Sequence, residues 1–381
     1  MMQFLKNNVS RIIMFIIQKI LGIDNNKVLF ESFGGKQYSD SPRSICEELH
    51  NHNPNLKLVW LLNDDAYSDK YKIIPDYVIK VKNSKWRKKI EVATCKVFIT
   101  NITLFPTMYK SKKQLFIQTW HGERGFKKIL FDAYNDNKRK VPYTADYKLA
   151  DICTSGSTFG EKLYRSAFNY KGKILKSGVP RNDKLIIQDI ENEKRVREIL
   201  KIKENDKILL YAPTFRDYLS EKQNVEIDFN RIIELLNKKY NNNWICLVRA
   251  HTVSSGLIFN SQNIIDATSY PDMADLLSIA DFLITDYSSS PGDFILTKKP
   301  IILYQPDVED YINNCRGLYF DINDSGYLVA HSQIELENMI NKLSIKDYKE
   351  SCEKVLEFYG VYETGESSKK VCDEIIRHIR G

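Results

Sequence analysis

An α/β protein built from two Rossmann-like domains is the fold class this sequence predicts, and three observations predict it. Short apolar runs suited to buried strands alternate with amphipathic, helix-like stretches, which is the pattern of a parallel sheet covered on both faces. The series then occurs a second time after a charged helical stretch at 189–203. Finally, 381 residues, 43% of them hydrophobic and 28% charged, are too many for one core and ordinary for two folded domains.

Taken in order, residues 4–21 are strongly apolar, but the unbroken run at 12–17 is too short to span a bilayer, which takes about 20 residues. With Lys6, Arg11 and Lys19 and no acid before Asp24, this stretch predicts an amphipathic helix resting in the plane of an anionic membrane surface. Packing against the rest of the protein is the competing explanation. Strands are then expected at 28–33, 56–62, 77–81, 97–100, 115–119 and 174–177, and in the second series at 207–212, 244–249, 282–286 and 300–304. A helix at 367–380 closes the chain. The expected division is a membrane-surface helix at 1–26, an acceptor domain at 27–187, a donor domain at 188–366 and the closing helix at 367–381. Two such domains facing a central cleft, with ligands at the carboxyl ends of the strands, form the GT-B architecture.

The net charge of +7 favours anionic partners. Basic and acidic residues are interleaved, however, and no basic block with aromatics points to nucleic acid. Seven scattered cysteines without Cys-x-x-Cys pairs read as reduced thiols, and with no cleavable signal peptide visible a cytoplasmic location is expected. There is no phosphate-binding Gly-rich loop, dinucleotide fingerprint, Asp-x-Asp pair or His-Glu-x-x-His helix, so the expectation is a metal-independent enzyme without a cofactor.

Chemistry concentrates where strands end. His121, in Thr119-Trp120-His121-Gly122, stands at a strand's carboxyl end as a candidate general base, with Gly122 allowing close backbone approach. Arg249 and His251 follow a second-domain strand and suit a diphosphate. Thr285, Asp286, Ser288 and Ser289 precede a helix start, a place that binds phosphate and equally a place for plain caps. Arg216, after another strand, serves phosphate or an ion pair. Gly34 and Gly35 make a flexible turn beside Lys36, a side chain able to meet an anionic acceptor, and Ser41-Pro42 reads as an N-cap followed by the first helical residue. The other described possibility for a histidine, solvated and structural, fits His50, His52, His331 and His378.

The segments FESFGGKQYSDSP (30–42), QTWHG (118–122), SGVPRNDKL (177–185), YAPTFRD (211–217), LVRAH (247–251), ITDYSS (284–289) and RGLYFD (316–321) together resemble the CDP-glycerol glycerophosphotransferase family of teichoic acid and capsule synthesis. The resemblance implies GT-B enzymes peripheral to the cytoplasmic face of the membrane, transferring glycerol phosphate from CDP-glycerol to a lipid-linked acceptor. It makes His121 the base and His251 a neighbour of the donor diphosphate. It also puts Ser288 and Ser289 on donor phosphate oxygens and Arg316, Ser367 and Ser368 on the donor side, and sets the acceptor against Gly34, Gly35, Lys36, Gln37 and Gly122. Where the family commonly runs His-Gly-Thr-Pro-Leu-Lys, this chain has His121-Gly122-Glu123-Arg124-Gly125-Phe126-Lys127-Lys128, in a loop expected to border the reacting hydroxyl, and Thr252 follows His251. CDP-ribitol as donor, a sugar-nucleotide glycosyltransferase and a non-catalytic scaffold are the rival expectations, and a homo-oligomer is compatible with the apolar first helix.

Overall fold

The computed structural model describes residues 2–134, 144–214, 227–250, 262–314 and 317–381, with side chains from Asn7 onward. Arg216, His251 and Arg316 lie outside the described residues. The chain divides into two compact units, one of Met1–Glu123, Tyr134–Asp183 and Tyr362–Gly381, the other of Arg124–Ala133 and Lys184–Val361.

The first unit opens with the helix Met2–Leu21, stopped at Gly22, whose left-handed backbone (φ 75°) accommodates a helix end. This helix covers its more polar face and leaves most of its apolar face outward. Asn7, Ser10 and Met14, spaced at helical intervals, are buried, and Gln18 Nε2 donates to Ala93 O at 2.8 Å and to Gln114 Oε1 at 2.9 Å. Val9, Ile12, Phe15, Ile16, Ile20 and Leu21 face outward, Ile20 at 76% exposure. No helix among the described residues is long and apolar enough to cross a membrane.

Seven parallel strands follow: β1 (Asp24–Glu31), β2 (Lys57–Leu62), β3 (Ile79–Lys82), β4 (Cys95–Thr100), β5 (Leu115–Gln118), β6 (Ile152–Thr154) and β7 (Lys173–Leu175), in the order β3-β2-β1-β4-β5-β6-β7. Val28 pairs with Leu58 on one side and Val97 on the other. β4 to β6 are almost wholly buried, as expected of strands covered on both faces. The closing helix, Ser367–Arg380, spans the residues expected for it and belongs to this unit.

The second unit carries β8 (Lys207–Ala212), β9 (Trp244–Val248), β10 (Ile264–Asp266), β11 (Phe282–Thr285), β12 (Ile301–Tyr304) and β13 (Leu328–Ala330), all parallel, in the order β10-β9-β8-β11-β12-β13. Its core packs Leu209, Phe229, Ile232, Leu236, Phe282 and Ile302.

Several boundaries need correction. β1 starts at Asp24, inside the stretch expected to be helix, and stops at Glu31 because Phe33 turns left-handed. The next helix is Asp40–His52 with Ser39 at its N-cap position, two residues ahead of the Ser41-Pro42 start; Pro42 is tolerated inside the first turn, where its missing N–H goes unused. β6, β10 and β13 were not expected from the sequence; at three residues each they carry no period to detect, whereas β7, equally short, overlaps the strand expected at 174–177.

Candidate active site

In each sheet the strand order reverses once, between β1 and β4 and between β8 and β11. At such a switch the connections leave in opposite directions and open a crevice beyond the carboxyl ends. In the first unit that place is occupied by the residues after β1, β4 and β5.

After β1 the chain makes a 3-10 turn, Phe33–Gly35, in which three successive residues are left-handed, at φ 46°, 69° and 85°. Gly35 has no room for a side chain: a Cβ would lie 2.6 Å from Asn83 Nδ2 and 3.1 Å from Leu61 O. Phe33, a bulky residue rarely found at positive φ, donates its N–H to Asn101 Oδ1 at 2.8 Å. Lys36 is exposed and Gln37 partly so. After β5, Trp120 is also left-handed (φ 50°), and Gln118 holds it there by accepting Trp120 N at 2.9 Å while donating to Asp146 Oδ1 and to Ile102 O, each at 2.7 Å.

These turns deliver His121. Its Nδ1 lies 2.7 Å from the backbone carbonyl of Asn101. A carbonyl only accepts, so Nδ1 carries the hydrogen and Nε2 keeps its lone pair in the neutral ring. Phe33 lies against the imidazole with ring centroids 5.4 Å apart, and the Trp120 ring at 4.0 Å. Burial pushes the His121 pKa below its ordinary 6.5; the bond to Asn101 and the carboxylate of Asp40 oppose this, and the guanidinium of Arg181 adds to it. Asp40 is itself left-handed (φ 65°) and buried, accepts Ser41 N at 2.6 Å, and pairs with Arg181 Nη1 at 3.5 Å. A neutral imidazole held in this tautomer is chemically able to accept a proton at Nε2 near pH 7.

The loop after His121 is not an open surface. Glu123 is buried, and its carboxylate accepts Ser155 Oγ at 2.8 Å, Gly156 N at 3.0 Å and Ser157 Oγ at 2.8 Å, all at the start of the helix Thr158–Ser166. Arg124 begins the second unit's share of the segment, fully buried, with Nη2 2.9 Å from Asp293 Oδ1. Residues 126–128 run antiparallel to 317–319: Lys128 N donates to Gly317 O and Tyr319 N to Phe126 O, each at 2.9 Å, and Tyr319 Oη donates to Asp132 Oδ2 at 2.8 Å.

In the second unit Asp286 Oδ1 accepts Thr214 N at 2.8 Å and Tyr287 N at 2.6 Å, joining the residues after β8 and β11. Thr285 Oγ1 donates to Ala212 O at 2.7 Å. Ser288 and Ser289 are partly exposed, ahead of a short helix, Ser290–Phe294, continued by the 3-10 turn Ile295–Thr297. Arg249, after β9, is partly exposed and donates to Pro271 O at 3.4 Å. Ser367 and Ser368 are in the first unit, where both their amides donate to the Asp183 carboxylate, at 2.8 and 2.7 Å. Gly122, partly exposed, adjoins His121.

A sequence profile of the family described as CDP-Glycerol:Poly(glycerophosphate) glycerophosphotransferase matches residues 13–377. The chain belongs to this family. As a member of the glycerophosphotransferase family it is an enzyme that transfers glycerol phosphate from CDP-glycerol. It is 32% identical to a teichoic acid poly(glycerol phosphate) polymerase of Bacillus spizizenii over 95% of each chain. It is 29% identical to a teichoic acid glycerol-phosphate transferase of Staphylococcus aureus over 98% of this chain and 100% of that one. A further polymerase, from Bacillus subtilis, is 29% identical, and only 50% of its length is covered. A solved structure of the wall teichoic acid polymerase TagF aligns with TM-score 0.83 at 27% identity, covering 98% of this chain and 94% of that one, and a TagF variant soaked with CDPG aligns with TM-score 0.81.

Within the family pattern, the Glu123-Arg124 departure is explained by packing: both side chains are buried with partners, so they brace the polypeptide on either side of its passage from one unit to the other. The sequence reading missed Asn101, Asp40 and Arg181. The last two stand inside quoted motifs, whereas Asn101 had no signal beyond its place after a strand. Among the described residues no group of three or more His, Cys, Asp or Glu side chains is placed to hold a metal ion, and the six described cysteines are free and buried.

Proposed function

We propose that a terminal hydroxyl of a lipid-linked polyol-phosphate acceptor attacks the glycerol-bearing phosphorus of CDP-glycerol, with His121 as the base. The new O–P bond forms as the bond to CMP breaks, and the hydroxyl proton passes to His121 Nε2. The observation that carries this reading is the hydrogen bond from His121 Nδ1 to Asn101 O, which leaves Nε2 as the acceptor at a strand end beside the switch point. In-line phosphoryl transfer needs positioning and charge neutralisation more than covalent catalysis.

Asp286, Thr285, Ser288, Ser289 and Arg249, with Arg216, His251 and Arg316, are the donor-side groups of this reading, in a GT-B enzyme working without metal. Gly34, Gly35, Lys36, Gln37 and Gly122 form the acceptor side. The outward apolar face of the first helix, flanked by Arg11 and Lys19, supports residence on the anionic cytoplasmic face of the membrane. Removing residues 1–22 should abolish co-sedimentation with anionic vesicles; unchanged co-sedimentation rejects the membrane role.

His121→Ala should lower turnover about 100-fold or more, as loss of a general base does. Near-wild-type turnover would reject the assignment. Thermal shift with CDP-glycerol, CDP-ribitol, UDP-glucose and GDP-mannose, with and without EDTA, identifies the donor, since a ligand at 100 times its Kd stabilises by about 2.7 kcal/mol. Stabilisation by a sugar nucleotide alone would favour a glycosyltransferase.

A further inference from the structure

Asn101 directly follows β4 and is fully buried, and its carbonyl and the two ends of its side-chain amide are used unequally. Its carbonyl accepts His121 Nδ1 at 2.7 Å and its Oδ1 accepts Phe33 N at 2.8 Å. Its Nδ2 is buried and has no hydrogen-bond partner among the described residues. A buried donor left unmade destabilises a fold, so stability does not account for an amide at this position. Its Oδ1 bond, in turn, maintains something costly. Phe33 at φ 46° is strained, and such strain persists where the surroundings over-determine it, typically at functional sites.

We infer that Asn101 is a positioning residue for the transfer reaction, fixing the His121 imidazole through its own carbonyl and, by way of Phe33, through the ring packed against the imidazole. The inference rests on His121 being the base. The carbonyl decides which ring nitrogen holds the hydrogen, but one hydrogen bond leaves the ring free to tilt about it. The Phe33 ring, 5.4 Å away and inclined at 55°, restrains that tilt, and it stays there because Asn101 Oδ1 holds its backbone. Trp120, inclined at 36° with its centroid 4.0 Å from the imidazole, completes the support. The charged groups acting on His121 among the described residues are Asp40, at the start of the helix Asp40–His52, and Arg181, in the turn Pro180–Asn182; neither lies on β4.

Two substitutions separate positioning from mere support. Asn101→Ala removes Oδ1 and keeps the carbonyl. Asn101→Asp keeps the acceptor for Phe33 N and introduces a negative charge beside the imidazole, which favours the imidazolium. The experiment measures kcat and KM for CDP-glycerol across pH 5 to 9 for both variants, the parent and His121→Ala, with thermal melts confirming that each is folded. Asn101→Ala is expected to lose about tenfold or more in kcat, the effect of a base displaced from its hydroxyl, with KM unchanged within about twofold. Asn101→Asp should recover most of that kcat at alkaline pH, with its acid limb moved to higher pH by about one unit. If Asn101→Ala does not fold, the limb of Asn101→Asp decides alone. Parental kcat in Asn101→Ala, or an unmoved limb in Asn101→Asp, with His121→Ala inactive, overturns the inference alone. An active His121→Ala overturns the base assignment and this inference with it.

Discussion

Asp146→Asn should stabilise the protein at neutral pH and do nothing in acid. Asp146 is fully buried under the loop that carries His121, and its carboxylate accepts Gln118 Nε2 at 2.7 Å and Leu104 N at 3.1 and 3.2 Å. Burial outweighs these bonds and raises its pKa from 3.8 to about 6. A proton held more tightly in the folded state stabilises that state fully below the unfolded pKa, and the benefit is lost as pH rises through the folded one. At about 1.36 kcal/mol per unit, ionisation of this buried group costs about 3 kcal/mol above pH 6. Asparagine reproduces the neutral acid in shape and keeps an acceptor for Gln118. The variant should therefore gain up to about 3 kcal/mol at pH 7.5, falling to nothing near pH 4. Urea unfolding of both proteins at half-unit steps between pH 4 and 8 measures this. A gain that is absent at pH 7.5, or that does not change with pH, would show that the hydrogen bonds to the carboxylate already compensate the buried charge.

Glu123→Ala leaves three donors of the Ser155–Ser157 turn without their carboxylate and should cost about 3 kcal/mol or more, whereas Glu123→Gln, which still accepts from Gly156 N and Ser157 Oγ, should cost less than half of that; equal melting points for the two variants would refute the role of the charge-assisted bonds. Asp183→Ala uncaps the closing helix at Ser367 and Ser368 and should cost about 1 to 2 kcal/mol, read as faster amide exchange confined to 367–380. The lowered pKa of His121 keeps its neutral form available in mild acid, so the acid limb of kcat/KM should fall below pH 6.5; a limb above 6.5 would contradict the dominance of burial over Asp40.

The alternation of apolar runs with amphipathic stretches was enough to foretell two parallel α/β series, because side-chain period and burial are local properties of the chain. It also placed His121 and the Thr285–Ser289 stretch at strand ends, which needs only the end of an apolar run, and it located the closing helix. Three of the four three-residue strands among the described residues escaped it, β6, β10 and β13, because that length is too short for a period; only β7 was expected.

What the sequence by itself determined, then, was the kind of fold, the strand ends on which chemistry concentrates and, through seven motifs in order, the family. Tertiary structure alone decided which distant residues meet. Asn101 reaches His121 across 20 positions, Glu123 reaches Ser157 across 34, Arg124 reaches Asp293 across 169, and Asp183 takes the amides of Ser367 and Ser368 across 184 and 185. It also settled which face of the first helix is covered: Asn7, Ser10 and Met14 are inside and Ile12, Ile16 and Ile20 outside, a choice between membrane-facing and protein-facing apolar residues that spacing alone left open. Periodicity records that a helix has two faces, but which one is covered depends on the surface it meets, and that surface is made by residues far away in the chain.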